Sequence, residues 1–481
     1  MRMMMIHRAA WVKLDPMTQP DLFSRFRAAL GPDPAPALHA GLIGHGIPVD
    51  GPFGPHPLVY ADYVASGRAL RQVERFVMDE ILPWYANSHT EASACGAAMT
   101  RARRAARAEI LRCCHGDDAH AVIFAGSGAT AGINRLVHLM GVGPGTTVIL
   151  GPYEHHSNIL PWRESGATVV ELPEAACGGP CPDALEAALV PDAVVALSAC
   201  SNVTGITCDV AALTAQVHAA GARVVWDYAG GAPYLPIDLS LGMEAVVASP
   251  HKFVGGPGAS GVLIVRRDAV RADRPSSPGG GTVRFVSPHG HDYAAGVEAR
   301  EEAGTPNVIG DIRAALAFAV KDAVGQAAID AAHARWWAMA RRRLGGDPRI
   351  ELLGNLDCPR VPILSFRIRD GQGGHVHQQL ATRMLSDLHG VQARGGCACA
   401  GPYVHRLLGL DRDASDRLRA AILAGQEVEK PGFVRLNLCW LAPEAEVRFI
   451  LDAIADVAAR APGLAPRYAC DESRAIFSPA A

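Results

Sequence analysis

Short, nearly continuous apolar runs separated by helix-length stretches constrain this chain more than any other feature. They are Val122-Ile123-Phe124, Thr147-Val148-Ile149-Leu150, Ala167-Thr168-Val169-Val170, Ala193-Val194-Val195-Ala196-Leu197, Val224-Val225-Trp226 and Met243-Glu244-Ala245-Val246-Val247-Ala248. A strand reads this way when helices cover both faces of its sheet, the usual situation of parallel sheets. Residues 68–330 are therefore expected to form an α/β unit around a mostly parallel sheet. Before it, 18–30 reads as an amphipathic helix, Gly31 to Pro57 as a Pro/Gly-rich segment, and Leu58-Val59-Tyr60-Ala61-Asp62 as a strand. After it, one long helix is expected over 307–343, and Asp347-Pro348-Arg349 marks the way into a second α/β unit. That unit has a strand at Val361 to Phe366, helices at 375–388 and 444–460, and a loop from Gly371 to Gly374. The expected division is an N-terminal extension and arm (1–57), a large domain (58–335) and a small C-terminal domain (336–481).

With 481 residues, 49% hydrophobic and 19% charged, the chain is ample for a buried core. A net charge of −3 gives no electrostatic case for nucleic acid or an acidic membrane surface, and no apolar run is long enough to span a bilayer. The start, Met1 to Ile6, is weakly signal-like but breaks at His7-Arg8, so secretion is not expected; Met17 is an alternative start. The cysteines are scattered along a long chain rather than concentrated as in secreted disulfide scaffolds. They point to a reducing cytoplasm, with Cys95, Cys113, Cys114, Cys200, Cys208 and Cys439 read mostly as small core residues.

The chemistry collects at the ends of the apolar runs. Ser249-Pro250-His251-Lys252 follows one and precedes the glycine-rich Phe253-Val254-Gly255-Gly256-Pro257-Gly258. A lysine buried there, with a lowered pKa, can hold an aldehyde cofactor such as pyridoxal 5'-phosphate (PLP) as a Schiff base. Asp227, about one strand–helix–strand step earlier, also ends a strand; an acid there can pair with a protonated pyridine nitrogen. Asn202 precedes Asp227 by the same interval. Polar groups at successive strand ends suit one site at the C-terminal edge of a sheet. In Phe124 to Asn134 a strand runs through Gly126-Ser127-Gly128-Ala129-Thr130 into a helix, which suits a phosphate. Alone, such a turn is often only a tight turn. His155 follows a strand and could stack on the pyridine ring or move protons. In Arg394-Gly395-Gly396-Cys397-Ala398-Cys399-Ala400-Gly401-Pro402, the arginine offers a carboxylate fork and the cysteines candidate nucleophiles. Cys397 and Cys399 cannot close a zinc site alone, and the Cys177/Cys181 pair sits in a different loop, so no metal is expected.

Together these residues resemble the class V aminotransferase family of PLP enzymes, and within it the cysteine desulfurases and selenocysteine lyases, over roughly residues 58–460. The resemblance implies the fold-type I architecture of aspartate aminotransferase, with a large seven-stranded, mostly parallel sheet domain and a smaller α/β C-terminal domain. It implies that Lys252 bears PLP and that Ser249, His251, Gly128, Ala129 and Thr130 bind its phosphate. His155 would stack on the ring, and Asn202, in Ser201-Asn202-Val203-Thr204-Gly205, would face the cofactor. Gly279-Gly280-Gly281-Thr282 and Glu302-Ala303-Gly304-Thr305-Pro306-Asn307 match further signatures. The first commonly reaches a neighbouring subunit's PLP, which implies that Thr282 helps build composite sites in a homodimer. Arg394, Gly396, Cys399, Ala400 and Pro402 fall in register with the Arg-x-Gly-x-x-Cys-Ala-x-Pro stretch of the desulfurases. Asn87-Ser88-His89-Thr90 is partly familiar and implies substrate contacts from His89. Two positions depart from the pattern: Gly230 stands where desulfurases usually carry a glutamine, and Cys397-Ala398 where two histidines are common.

The reaction implied is conversion of L-cysteine to L-alanine. Lys252 would move the Cα proton, Arg394 and Asn202 would hold the substrate, and His155 would shuttle a proton. Cys399 would keep the sulfur as a persulfide for an acceptor protein. Alternatives are another class V PLP enzyme (selenocysteine lyase, amino-acid lyase, epimerase or transaminase) in which Cys399 is not the carrier, or a sulfur- or metal-binding protein with a decayed PLP site.

Overall fold

The structure, a computed structural model, describes residues 21–88 and 90–480. The apolar runs all become strands of one seven-stranded sheet. In chain order these six are β1 (His120–Phe124), β2 (Thr147–Leu150), β3 (Thr168–Glu171), β4 (Val194–Ser198), β5 (Arg223–Asp227) and β6 (Ala245–Ala248), and the seventh strand, β7 (Val262–Arg266), is not among the expected runs. Their spatial order is β1-β7-β6-β5-β4-β2-β3, parallel throughout except β7, which runs antiparallel to both neighbours. Every residue of β1, β4 and β6 is buried.

Strand periodicity splits those runs between two cores. Val122 and Phe124 of β1, and Val195 and Leu197 of β4, join the core that also holds Leu316 and Phe23. Ala121, Ile123, Val194 and Ala196 face the opposite layer, with Ile133, Leu136 and Trp162. Helices covering both faces explain why the strands carry no polar alternation.

The N-terminal helix Leu22–Leu30 begins where the Asp21 carboxylate accepts from the Phe23 and Ser24 backbone N–H groups, and it buries Phe23 and Phe26. The single helix expected over 307–343 is two. Val308–Val324 is capped by Asn307 and ends at Gly325, whose φ of +83° leaves the helical region; Gln326–Leu344 then begins. A cut after residue 335 would fall inside that second helix. The strand expected over 58–62 is a two-residue one, Val59–Tyr60, pairing in parallel with Val391–Gln392. Asn437 N–H extends this seam by donating to Ala61 O (2.8 Å).

The C-terminal part carries a second, antiparallel sheet of β8 (Ile350–Leu352), β9 (Ile363–Arg369), β10 (Arg394–Gly396) and β11 (Phe433–Asn437), in the order β8-β9-β11-β10. The helices Gln378–His389 and Glu444–Leu464 correspond to those expected at 375–388 and 444–460. Between β10 and β11 the chain makes an excursion containing the helices Gly401–Leu407 and Arg412–Leu423. No helix among the described residues is long and apolar enough to cross a membrane.

Candidate active site

The C-terminal ends of β1, β2, β4, β5 and β6 point to one edge of the large sheet, and the loop after β10 closes over it. Between them lies a cavity of about 340 Å³, within reach of the size usual for small-molecule sites. Its lining includes Ala129, Thr130, His155, Asn202, Asp227, Ser249, His251, Lys252, Arg394 and Cys399. Separate segments of sequence thus bring their expected site residues to one place.

Burial sets the chemistry of the deepest groups. Lys252 is half-buried, and desolvation lowers its pKa to about 8, with Asp227 pulling the other way. Asp227 is raised by burial, against the pull of the Ala229 N–H that it accepts at 2.7 Å. Burial, followed by the charge of Lys252, lowers His155 to about 4, so its ring is neutral near pH 7. Its Nδ1 accepts from Ser157 N–H (3.1 Å), which places the ring proton on Nε2. Glu154, next to it, is pushed up to about 7 by burial and is held by Ser198 and Asn158.

One corner is built as an anion cradle. The helix Gly128–Leu139 starts there, and Ala129 N–H donates to Ser249 Oγ (3.0 Å). Gly128 has φ +72°, and a Cβ on it would meet His251 Cε1 and Ser249 Oγ at 2.9 Å. A Cβ on Gly261, at the start of β7, would lie 2.5 Å from Gly128 Cα. Gly128 is therefore required by its positive φ and the side chains against it, and Gly261 by close backbone approach. Thr130 Oγ1 and Ser157 Oγ hydrogen-bond at 2.7 Å on the rim. A helix N-terminus, hydroxyls, a half-buried amine and a buried carboxylate across one cavity fit PLP at its phosphate, aldehyde and pyridine nitrogen.

The cysteine loop is pinned rather than free. Asn202 Nδ2 donates to Ala398 O (2.8 Å), His156 N–H donates to Cys399 O (2.8 Å), and Gly401 N–H donates to His156 Nε2 (2.9 Å). Ala398 and Cys399 adopt φ of +52° and +54°, a left-handed conformation uncommon for side-chain-bearing residues. Cys399 is exposed at the cavity mouth. Asn202 thus ties down the loop as well as lining the cavity, and His156, beside the His155 of the sequence motif, is a second tether whose role the sequence does not mark.

Arg435 is another residue that sequence motifs do not reveal. It sits on β11 directly opposite Arg394 on β10, is only 4% exposed, and lines the same cavity. Like charges facing across a ladder repel; Asp62 stands between them, 2.9 Å from Arg394 and 3.5 Å from Arg435. One carboxylate for two guanidinium groups leaves the cavity wall cationic. Arg435 also donates to Asn202 O (3.0 Å), while its Nε has no hydrogen-bond partner among the described residues. Its signal in the sequence is faint, because a long excursion separates Arg435 from the cysteine motif.

Thr282 is buried and its hydroxyl donates to Gly279 O (2.7 Å) within its own turn, outside the cavity lining. His89 lies outside the described residues. Gly230 lines the cavity, and a Cβ there would meet Asn202 Cβ and Cys200 O only at 3.4 Å. Cys114, Cys200 and Cys439 are core residues as expected; Cys95, Cys113 and Cys208 are half-buried.

The class-V aminotransferase family model matches residues 59–448. The chain belongs to that family. Its relatives include a probable cysteine desulfurase from Vibrio cholerae, 31% identical over 73% of this chain and 86% of the relative. Another is a cysteine desulfurase from Enterobacter, 31% identical over 72% of this chain and 86% of its own length. Among solved structures, a cysteine desulfurase from Thermococcus onnurineus superposes with TM-score 0.70 at 21% identity, covering 84% of this chain and 95% of the other. One from Escherichia coli gives 0.69 at 24% identity, covering 88% and 98%. The expected fold-type I architecture, with its large mostly parallel sheet, is therefore the one found. The chain is an enzyme of a PLP-dependent family.

Proposed function

We propose that this enzyme is an L-cysteine desulfurase that uses PLP, held by Lys252, and carries the abstracted sulfur on Cys399. The observation that carries the reading is Cys399 pinned at the mouth of the cavity that holds Lys252, His155, Asp227 and two arginines. PLP, when bound, supplies the electron sink that makes a Cα proton removable. Asp227 would meet the pyridine nitrogen, and Ser249, His251, Thr130 and the helix N-terminus would meet the phosphate. Thr282 remains a candidate contact to a partner subunit's cofactor in a homodimer.

Arg435 and Arg394 orient the substrate by its carboxylate, Arg435 from a buried position and Arg394 from the rim. Lys252, with a pKa near 8, is available as a neutral amine to take and return the Cα proton. His155 lines the cavity as a neutral ring with its proton on Nε2 and can exchange a proton with the departing carbon skeleton. The thiolate of Cys399 attacks the substrate sulfur: an S–S bond forms, the Cβ–S bond breaks, and the three-carbon product leaves as alanine. The overall change, cysteine plus thiol to alanine plus persulfide, needs no outside oxidant. The persulfide, at an exposed position, is then open to an acceptor protein. Free thiols at all the cysteines suit a reducing, cytoplasmic setting.

The test is alanine and sulfide release from L-cysteine, under reductant, by wild type and Cys399→Ala. Wild type yields both products. The variant keeps its PLP absorbance and loses turnover. Unchanged sulfide release by Cys399→Ala would remove Cys399 from the mechanism, and a keto acid or D-amino acid product would favour another class V reaction.

A further inference from the structure

We propose that His39, His45 and Glu446 form a binding site for a divalent metal of borderline softness, zinc foremost, that clamps the N-terminal segment to the C-terminal helix. The site lies away from the catalytic cavity. His39 closes the short helix Ala35–Ala40, and His45 sits in the turn that follows, between Gly44 (φ +81°) and Gly46 (φ +72°). Glu446 lies in the first turn of the helix Glu444–Leu464. Segments from opposite ends of the chain thus bring three ligand-type side chains together, their ligand atoms all within 4.8 Å of one another.

The distances decide between a hydrogen-bonded trio and a ligand set. His39 Nε2 lies 3.2 Å and His45 Nε2 3.5 Å from the same oxygen, Glu446 Oε2. A charge-assisted N–H···O bond settles at about 2.7–2.9 Å, and His120–Asp117 and His375–Glu351 in this protein reach 2.8 Å. Length alone does not separate the trio, since His218–Glu244 is 3.3 Å. Convergence of two imidazole nitrogens on one carboxylate oxygen does. Ligands about 2.0–2.1 Å from a tetrahedral zinc ion stand roughly 3.3 Å from each other, and the two nitrogen-to-oxygen separations, 3.2 and 3.5 Å, bracket that value. The rings are set edge to face with centroids 4.8 Å apart, so both can aim a nitrogen at a shared point. Glu446 is the most enclosed of the three at 12% side-chain exposure, whereas His39 and His45 are 22% and 32% exposed. Solvent reaches the site, and water would complete the fourth position.

Two imidazoles and one carboxylate, without thiolate, favour zinc or a neighbouring first-row divalent ion over calcium or magnesium. The clamp would fasten the segment preceding Val59 to the helix that follows β11.

The experiment titrates full-length, chelator-treated and reduced protein with Co²⁺, followed by visible absorption, and then competes with Zn²⁺. Expected is one saturable site per chain with ligand-field bands, no thiolate-to-cobalt charge-transfer band, and displacement by zinc. His45→Ala and Glu446→Gln should each weaken binding about tenfold or more. Zinc should raise the melting temperature of wild type and not of either variant. Should His45→Ala fail to fold, Glu446→Gln, which preserves shape, decides alone. No saturable binding, thiolate bands, or affinity unchanged in Glu446→Gln would overturn the proposal.

Discussion

Replacing Arg435 by lysine tests the least legible part of the site. Arg435 is buried, faces Arg394 across the β10–β11 ladder, and shares Asp62 with it. Lysine retains the charge but loses the planar fork that meets a carboxylate with two parallel hydrogen bonds. A hydrogen bond to a charged group is worth about 1.5–3 kcal/mol, so losing one of the pair should lower kcat/KM for cysteine by roughly 10- to 150-fold. Arg394 provides the internal comparison. Its side chain is 53% exposed, and its Nε is already engaged by Asp62 at 2.9 Å. Solvent screening limits such a contact to about 1 kcal/mol, or roughly fivefold, for Arg394→Ala. Asp62 keeps one guanidinium partner in either variant, so both should fold and retain PLP. The assay is alanine formation against cysteine concentration, with PLP absorbance as the control. A larger loss in Arg394→Ala, or Arg435→Lys within twofold of wild type, would refute the assignment of Arg435 as the principal carboxylate site.

Other consequences follow from the same geometry. Lys252 is protonated below its pKa of about 8, so reloading of the PLP-free protein should slow about tenfold for each pH unit below that value and level off above it. Stopped-flow absorbance after PLP addition reads this, and a midpoint near the ordinary lysine value contradicts it. Gly128→Ala puts a Cβ 2.9 Å from Ser249 Oγ at a φ of +72°; equilibrium dialysis should show PLP binding weakened about tenfold or more, and unchanged affinity would contradict the cradle. A Cβ at Gly230 meets only ordinary contacts at 3.4 Å, and the position lines the cavity; Gly230→Gln should fold with wild-type melting and shift the visible PLP band, whereas insoluble protein or an identical spectrum counts against a side chain from this position reaching the cofactor. Phe23→Ala, at a fully buried position, should cost about 3–5 kcal/mol in denaturant unfolding; a loss under 1 kcal/mol would show that the N-terminal helix is peripheral.

The large sheet is readable in the sequence because its strands are buried on both faces, and a continuous run such as Ala193 to Leu197 suits a strand covered by helices on either side. The reactive groups are readable because Asn202, Asp227 and Lys252 recur at regular intervals after those runs. What escapes depends on contacts between distant segments. The break at Gly325 is invisible where helical pattern continues on both sides. The two-residue strand at Val59–Tyr60 exists only because Val391–Gln392 lies beside it. Arg435 resembles any arginine on a strand until β10 places Arg394 opposite it. The tether role of His156 likewise requires the Cys399 loop to be folded against it.

The central claim is that sulfur leaves cysteine onto Cys399. Intact-protein and peptide mass spectrometry, after cysteine addition and rapid alkylation, reads it most directly, with Cys397→Ser and Cys399→Ser in parallel. The proposed mechanism predicts one additional sulfur atom on the Cys399 peptide of wild type and of Cys397→Ser, and none in Cys399→Ser. Extra sulfur that persists in Cys399→Ser, or resides on Cys397 alone, would contradict it.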